Sequence, residues 1–416
     1  MSGSRTTLAG RLARLGFADA ARAERLLLTD LGIDSDEEAG EPGADPLLTA
    51  LAAAADPDLA LTGLARVFGA TDDRTALRRG LRDEPEFRDR LTAVLGVSAG
   101  LADHLARHPE DAQILRGDAG RPGPAELREQ MLQAVGANPR LAEPVASCEP
   151  NEPVAALAAA YRRRLLHLAA RDTTAVVSVE EVVEELADIA GAVLEAALAV
   201  ARSELPAGSA PCRLAVVAMG KCGARELNYA SDVDVIFVAE PAANGPGTGP
   251  GTGAGDGAGT GAGDETAALA TASRLAAGLI GVCARSTPEG SIFPVDPNLR
   301  PEGRQGPLVR TLASHRAYYE RWAKTWEFQA LLKARPVAGD MALGEAYADT
   351  FGPLVWQAAR REHFVEDTQA MRRRVEQSLP PRQAGRELKL GPGGLRDIEF
   401  AVQLLQLVHG DRKSVV

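Results

Sequence analysis

The fold is decided by the stretch RLAVVAMGKCGARELNYASDVDVIFV, which runs from Arg213 to Val238. Its beginning, Arg213–Gly220, is a short apolar and β-branched run that ends in glycine, a pattern typical of a strand. Asp232–Glu240 is a second run of the same kind, and SIFPVDPNLRP (Ser291–Pro301) predicts a third strand. We therefore expect a small β-sheet in the middle of the chain.

The sequence on either side of this stretch is typical of helices. Aromatic residues make up only 4% of the chain, whereas alanine and leucine recur throughout, which favours helices packed through Ala and Leu over a β-sandwich or barrel. Helical patterns cover residues 1–145, reappear at Val179–Glu204 and return after Leu308. We expect an α+β protein with a helical region at 1–145, a sheet-containing domain at 146–340, and the truncated start of another helical domain at 341–416.

Composition narrows the class of protein. The chain has 416 residues and a formal net charge of −11, so it lacks the basic footprint of a nucleic-acid binder. Its four cysteines form no C-x-x-C pair, which fits a reducing cytoplasm better than a disulfide framework or a zinc site. The N-terminus has no apolar signal region, and Arg274 interrupts the apolar stretch Ala267–Ala284. We expect a cytoplasmic protein that neither binds nucleic acid nor spans a membrane.

A segment rich in Gly, Thr, Ala and Pro separates the second predicted strand from the next helix. This segment, residues 241–263, offers too little apolar surface to order itself, so it is predicted to be a disordered loop. A phosphate-binding loop is the alternative, but the segment lacks G-x-x-x-x-G-K-[ST] and any strand-G-x-G-x-x-G context.

Two acids begin the second predicted strand. Residues two apart on a strand face the same way, so Asp232 and Asp234 project two carboxylates from one face. Two converging carboxylates on a buried strand are costly unless a cation neutralises them, and hard oxygen ligands suit Mg²⁺. A bare D-x-D is more often a strand-entry turn with exposed acids. The preceding GKCGARELNYAS favours the metal interpretation.

Phosphate-binding groups are predicted on both sides of this acid pair. Gly220 and Lys221 end the first strand where a helix can begin, and backbone amides there can bind an anion. Asp296 in the third predicted strand can supply a third carboxylate. Arg300 and Arg304 follow it within reach of a phosphate, although both could instead form surface ion pairs with Glu302.

Together, these segments resemble the bifunctional glutamine synthetase adenylyltransferase/adenylyl-removing enzyme family. The resemblance preserves order and covers about Arg213 to Gly410. It is carried by AMGKCGARELNYASDVDVIFV, VDPNLRPEGRQGPLVR, YYERWAKTWEFQALLKARPVAGD and KLGPGGLRDIEFAVQLLQLVHG.

The resemblance implies a fold and a reaction. The family has two nucleotidyltransferase domains of the DNA polymerase β type, and its first domain is associated with deadenylylation. The chain shows one G-K…S-D-x-D set, so it resembles the N-terminal half. The implied reaction is phosphorolysis of adenylyl-tyrosine on glutamine synthetase, with phosphate consumed and ADP released. A PII-type signal protein is a possible regulatory partner within this family.

The resemblance also implies roles for individual residues. Asp232 and Asp234 match the paired acids that bind Mg²⁺, and Asp296 matches the third carboxylate of the superfamily site. Gly220, Lys221 and Ser231 match the phosphate-binding turn and the strand entry, and we assign Arg300 and Arg304 to phosphate binding as well.

The chain departs from the family pattern at two places. Cys222 stands where an aliphatic residue is usual, and Pro297-Asn298 replaces Leu-Arg after the third acid. Pro297 removes a backbone donor, which predicts that the third strand lies at an edge or ends there. Asp397 and Glu399 either lie near the site or are acids favoured by a helix N-terminus.

Three other functions stay open at this point. The same domain could adenylylate glutamine synthetase with ATP as donor, or the chain could be a non-catalytic half that docks partners. A nucleotidyltransferase acting on RNA is disfavoured by the net charge of −11.

Overall fold

A computed structural model describes residues 7–32, 45–117, 120–147, 152–242, 262–358, 360, 363–377, 379–380, 382 and 386–410. The predicted disordered loop at 241–263 falls mostly outside these ranges. Within them the helices are α1 (Leu8–Arg14), α2 (Ala20–Arg25), α3 (Pro46–Ala53), α4 (Pro57–Ala70), α5 (Arg74–Asp83), α6 (Pro85–Leu95), α7 (Ala99–Arg107), α8 (Pro124–Ala134), α9 (Pro153–Thr173), α10 (Val179–Ser203), α11 (Gly220–Ala224), α12 (Ala262–Ala284), α13 (Leu312–Arg321), α14 (Thr325–Leu331), α15 (Met341–Ala358), α16 (Phe364–Gln377) and α17 (Leu395–His409). A π-helical turn and two 3₁₀ turns complete the helical structure, at Leu26–Asp30, Pro109–Leu115 and Gly303–Gln305.

The chain divides into two compact units. The first comprises residues 1–122 and 158–185, and the second comprises 123–157 and 186–416. These units differ from the predicted boundaries at 145 and 340, because helical residues 158–185 group with the N-terminal helices. The boundaries at 145 and 340 stay a prediction about functional domains.

The first unit is all-helical. α4 packs against α6 and α7, and the buried side chains of this core are mainly leucine and phenylalanine. Its helix starts are fixed by side-chain caps. Asp56, Asp73 and Ser98 each accept a hydrogen bond from a backbone N–H three residues further on.

The second unit contains a sheet of five short strands. The strands are β1 (Cys212–Ala218), β2 (Val233–Pro241), β3 (Val295–Asp296), β4 (Val309–Arg310) and β5 (Arg335–Gly339). The order is β3-β2-β1-β5, with β1 antiparallel to both of its neighbours. β3 and β4 pair in parallel with successive parts of β2, so they follow one another along its outer edge.

Helices cover the sheet. α15 packs against β1, β2 and β5, and α12 packs against β1, β2, β3 and β4. Alternate residues of a strand face opposite sides, and on β1 and β2 both alternating sets are buried. One set joins a core with α13, α14, α15 and α17 and consists of Ala215, Val217, Ile236 and Val238. The central strands are therefore long apolar runs interrupted only at their ends, where the acids lie.

The first two strands and the α+β class agree with the sequence prediction, whereas the third strand is shorter. β3 has two residues instead of the eleven of Ser291–Pro301, and it lies at the end of the strand order. Pro297 follows it directly, which agrees with the prediction that this strand ends or lies at an edge there. β4 and β5 were not predicted. β5 contains a proline and a glycine and has weak strand propensity, so its pairing with β1 decides its conformation.

In the described part of the chain, one helical stretch, Gly263–Ala284, is long and apolar enough to cross a bilayer by length and composition alone. It belongs to α12, whose buried residues include Ala272, Leu275 and Leu279. This helix covers the sheet, and core helices of globular proteins commonly pass the same test. These contacts with the sheet agree with the packed helix that the interruption by Arg274 predicted.

Candidate metal and nucleotide site

The three predicted acids converge. One carboxylate oxygen from each of Asp232, Asp234 and Asp296 lies within 4.8 Å of the other two. The register of the sheet explains this, because Asp234 and Asp296 are direct neighbours on parallel β2 and β3, and Asp232 immediately precedes β2. Asp232 is exposed, while the other two are half-buried. The cluster therefore opens to solvent on the Asp232 side.

Gly220 lets the turn after β1 approach this cluster. It has φ +53°, a conformation that disfavours side chains, and a Cβ placed there would collide with Oδ2 of Asp234. The Met219 amide also donates to the Asp234 backbone carbonyl at 2.8 Å, which ties the turn to β2. Only glycine accommodates both the backbone geometry and the neighbouring carboxylate.

The acids repel one another. Burial, followed by the charges of Asp232 and Asp296, raises the pKa of Asp234 to about 6, while Lys389 and Lys221 partly oppose this. A bound cation would stabilise the charged form of Asp234 and lower its pKa again. The charge distribution is that of a cation site.

The predicted phosphate-binding residues occupy different positions around the acids. Lys221 donates from Nζ to Oδ1 of Asn228 at 2.8 Å, so its ammonium is held beside the turn. The Ser231 hydroxyl lies 3.5 Å from Oδ1 of Asp232, at the entry to β2. Asp296 accepts from the Asn298 amide at 2.7 Å, which fixes the third carboxylate just where β3 ends.

The two predicted arginines behave differently. Arg300 donates to backbone carbonyls of Pro297, Gly306 and Pro307 at 3.0 to 3.2 Å, so its guanidinium braces the loop after β3. Burial lowers the pKa of Arg300, and the Asp296 charge opposes that change. Arg304 is exposed in the same loop and has no hydrogen-bond or ion-pair partner among the described residues. Phosphate binding by either arginine stays a prediction.

Cys222 fills an apolar position in α11. It is 1% exposed, and burial raises the pKa of its thiol to about 11. The thiol is therefore protonated at neutral pH and packs as a small apolar side chain. This departure from the family pattern leaves the packing of the turn intact.

Two hydrogen bonds hold the Asp397 carboxylate in place. It lies in the first turn of α17, pairs with Nε of Arg372 and accepts from the Gly393 amide at 2.6 Å. The Arg372 hydrogen bond lowers the pKa of Asp397. Glu399 lies 3.5 Å from Arg396, one turn along the helix surface. Asp397 thus shapes the loop before α17, a role that the sequence left open.

Sequence reasoning missed one charged residue near the acids. Lys389 precedes the GPGG loop, and its charge acts on Asp234 more strongly than that of Lys221. The available signal was a lysine two residues before the Gly391–Gly394 run inside a family-like segment. No local spacing rule connects that segment to the D-x-D strand.

The donor set fits Mg²⁺. Three hard carboxylates converge within 4.8 Å, and the exposed side leaves room for water and phosphate oxygens. The raised pKa of Asp234 provides the electrostatic reason to bind a cation. Asp232, Asp234 and Asp296 are the residues that would hold it.

Two protein-family models match parts of this chain. The protein-family model described as glutamate-ammonia ligase adenylyltransferase matches residues 88–350. A second model, described as GlnD PII-uridylyltransferase, matches residues 368–415.

Three similar proteins are each named bifunctional glutamine synthetase adenylyltransferase/adenylyl-removing enzyme. The protein from Streptomyces avermitilis is 54% identical over 98% of this chain, which spans 37% of that protein. Its counterpart from Streptomyces coelicolor is 53% identical over 98% of this chain and 38% of its own length. The Mycobacterium tuberculosis H37Rv protein is 46% identical over 95% of this chain and 36% of its own length.

The chain therefore spans well under half the length of these relatives. The family model covers more than half of the chain and includes the acid cluster and the Gly220 turn. The resemblance inferred from the sequence motifs is confirmed. The chain belongs to the glutamate-ammonia ligase adenylyltransferase family.

Proposed function

We propose that this chain carries the adenylyl-removing activity of a longer bifunctional enzyme acting on glutamine synthetase. In this reaction an oxygen of inorganic phosphate attacks the phosphorus of an adenylyl-tyrosine. The bond from phosphorus to the phenolic oxygen breaks, ADP forms, and the proton of hydrogen phosphate ends on the tyrosine. Atoms and charge balance without another reactant.

The convergence of Asp232, Asp234 and Asp296 is the observation that carries this proposal. Bound there, Mg²⁺ would neutralise charge on the reacting phosphate groups and orient them. The Gly220 turn brings backbone amides and Lys221 to the same edge of the sheet, where they can bind phosphate oxygens. The residues present therefore fit transfer of a nucleotidyl group.

The reaction needs no strong general base from the protein. Hydrogen phosphate is already an anion at neutral pH, so its oxygen is nucleophilic once its charge is partly neutralised. The segment Arg213–Ala242, which contains the turn and two of the acids, has no histidine. Electrostatic binding and positioning are sufficient for this chemistry.

The direction of the reaction is part of the proposal. Adenylylation with ATP as donor would use the same acids and the same nucleotide position. The single G-K…S-D-x-D set, placed after a helical region, matches the family's first catalytic domain and favours removal of AMP.

A PII-type signal protein is the regulatory partner we propose. Residues 368–415 match the family model described as GlnD PII-uridylyltransferase, a name that refers to a PII protein. This segment contains α17 and the loop before it, and the charge of Lys389 in that loop lowers the pKa of Asp234. A partner bound on this segment could reach the site through that loop.

Incubation with adenylylated glutamine synthetase, Mg²⁺ and phosphate tests the reaction and its direction. We expect ADP to form only when phosphate is present and little label to pass from ATP to unmodified glutamine synthetase. AMP release without phosphate would indicate a hydrolase, and efficient labelling from ATP would reverse the assigned direction. Adding a PII protein should change the rate, and an unchanged rate would remove it as a direct regulator.

A further inference from the structure

The short helix α11 lies in close contact with two neighbouring segments of the chain. At its start, Gly220 approaches β2 so closely that an added Cβ would collide with Oδ2 of Asp234. In its middle, a Cβ on Gly223 would collide with the carbonyl oxygen of Lys333, in the segment that leads into β5. A helix of five residues is not stable by itself, so these neighbours decide where it lies.

Arg335, the first residue of β5, hydrogen-bonds to the C-terminal end of α11. Its Nε donates to the Gly223 carbonyl at 3.0 Å, and its Nη2 donates to the Cys222 carbonyl at 2.8 Å. Carbonyls in the last turn of a helix have no i+4 amide within the helix to bind, so a side-chain donor stabilises them. One half-buried guanidinium therefore attaches two successive carbonyls of α11 to β5.

Two ion pairs hold the chain just after α11. Nζ of Lys333 lies 2.6 Å from Oε2 of Glu226, and Nη2 of Arg225 lies 2.6 Å from Oδ2 of Asp188 on α10. Arg225 has φ +62°, a left-handed conformation that is uncommon for a residue with a side chain, so the chain turns sharply there. Lys333 and Arg335 are two residues apart, so one segment holds both α11 and the turn that follows it.

These contacts connect β5 to the acid cluster through α11. Gly220 and Lys221 belong to this helix, so a shift of the helix changes their distances from Asp234. The sheet restrains the start of the helix, because the Met219 amide donates to the Asp234 carbonyl at 2.8 Å. Arg335 restrains the other end. The position of the turn relative to the acids therefore depends on both attachments.

We propose that Arg335 is a positioning residue which, together with Lys333, holds Gly220 and Lys221 at the distance from the acid cluster that phosphate binding requires. This inference rests on the proposed nucleotidyl-transfer function. Arg335 acts through α11, since its guanidinium donates to two carbonyls of that helix. Without these bonds α11 can move away from the acids, and phosphate oxygens bound between the turn and the cluster lose part of their contacts.

Hydrogen exchange of the whole chain tests whether Arg335 holds α11. We expect the amides of residues 219–227 to exchange faster in Arg335→Met, because the helix loses two hydrogen bonds at its end. Arg335→Lys should slow this exchange again in part, since an ammonium keeps the charge but not the planar pair of donors. Arg202→Met is the matched control. Arg202 is also half-buried and donates to a backbone carbonyl, that of Pro144, and its loss should leave residues 219–227 unchanged.

Binding of Mg–ADP measured by calorimetry tests whether the position of α11 matters to the site, independently of reaction direction. We expect Arg335→Met to weaken Mg–ADP binding about tenfold and Arg335→Lys to recover part of the affinity. Arg202→Met should bind Mg–ADP like the parent chain. Lys333→Met removes the pairing with Glu226 and should also weaken binding, which keeps the inference testable if Arg335→Met does not fold.

Turnover separates failure of this inference from failure of the proposed function. Mg–ADP affinity that is equal in Arg202→Met and in the folded Arg335 or Lys333 variant would overturn the inference, as would unchanged exchange at 219–227 or a parent chain that does not bind Mg–ADP. If binding depends on Arg335 but adenylylated glutamine synthetase yields no ADP, the inference stands and the proposed reaction fails. With activity present, the KM for phosphate should rise in Arg335→Met and stay at the parent value in Arg202→Met.

Discussion

Two sets of carboxylates in the second unit lie at opposite edges of the same sheet. They differ in their hydrogen-bond and ion-pair partners. Beside β2 and β3, Asp232, Asp234 and Asp296 converge on one another. Beside β5, Glu195 accepts from the Gly339 amide at 2.6 Å and lies 3.3 Å from Arg128.

Other acids near β5 are paired in the same way. Asp340 accepts two hydrogen bonds from Arg213, which lower its pKa, and Asp188 pairs with Arg225 at 2.6 Å. This difference in partners distinguishes two roles of a partly buried acid, stabilising the fold and binding a cation. Carboxylates with arginine and amide partners stabilise the fold, whereas carboxylates placed against one another store repulsion that a bound cation relieves. Burial alone does not distinguish these uses.

The largest expected effect is on catalysis. Asp234→Asn should lower ADP formation by at least about a thousandfold, roughly 4 kcal/mol in the barrier, because it removes a metal-ligand charge. Thermal unfolding should show a metal-free variant as stable as the parent or more so, since a repulsive carboxylate is gone. Steady-state rates with adenylylated glutamine synthetase measure the loss.

Asp340→Asn is the matched control for this substitution. It also replaces a half-buried aspartate beside the sheet, but one that is paired with Arg213. Its turnover should stay close to the parent value. If Asp234→Asn kept more than about one-tenth of the parent rate, a loss below roughly 1.4 kcal/mol, the metal assignment would be removed.

The next effect is on stability and involves the paired acids. Glu195→Ala should lower the free energy of unfolding by about 3 kcal/mol, because it leaves the Gly339 amide and Arg128 without their buried acceptor. Urea denaturation followed by circular dichroism measures this change. Glu195→Gln should lose less, since an amide oxygen can still accept from Gly339. A loss below about 0.5 kcal/mol for the alanine variant would mean that this pairing does not stabilise the fold.

Gly220→Ala tests whether the turn positions the acids. The new methyl group would collide with Oδ2 of Asp234, so either the carboxylate or the turn must shift. Because a displacement near 1 Å can cost two orders of magnitude, we expect activity to fall about a hundredfold. Ala224→Gly, at the other end of α11, is the control for backbone changes in this short helix. Equal activity in the two variants would show that the close approach of Gly220 is not needed.

The sequence alone predicted the parts of this site that follow local rules. Period-two spacing placed Asp232 and Asp234 on one face of a strand, and the apolar runs around them marked β1 and β2. Parallel pairing of β2 with β3 could not be deduced from spacing. Asp296 was proposed as a third carboxylate because it lies in the third predicted strand, and the resemblance then matched it to the third acid of the family.

The parts that were missed depend on tertiary contacts. β5 has weak strand propensity and forms because β1 offers an unpaired edge. The charge of Lys389 acts on Asp234 although the two residues are more than 150 positions apart in the chain, and Arg372 and Asp397 hydrogen-bond within the loop that carries Lys389. The hydrogen bonds of Arg300 to carbonyls of its own loop were not predicted either, and its phosphate binding stays a prediction.

The smallest expected effect is a pH dependence that distinguishes the two sets of acids. The ordinary pKa of 3.8 for Asp234 is raised to about 6 in the folded chain, first by burial and then by Asp232 and Asp296. Its contribution to folding is therefore fully present below about pH 4 and is lost as the pH rises through about 6. Paired acids such as Asp340 behave oppositely, since their lowered pKa adds stability that disappears as the pH falls.

Urea unfolding in EDTA at a series of pH values should show this in the difference between the parent chain and Asp234→Asn. Relative to the variant, the parent should lose on the order of 2 kcal/mol between pH 4 and pH 7, because only the parent must ionise Asp234. Subtracting the two curves cancels the paired acids, which both proteins share. Millimolar Mg²⁺ should restore the parent at pH 7 and leave the variant less changed, since the cation binds the charged form of the acids. Parallel curves in EDTA, or equal stabilisation of both proteins by Mg²⁺, would mean that the three acids do not act as one cation site.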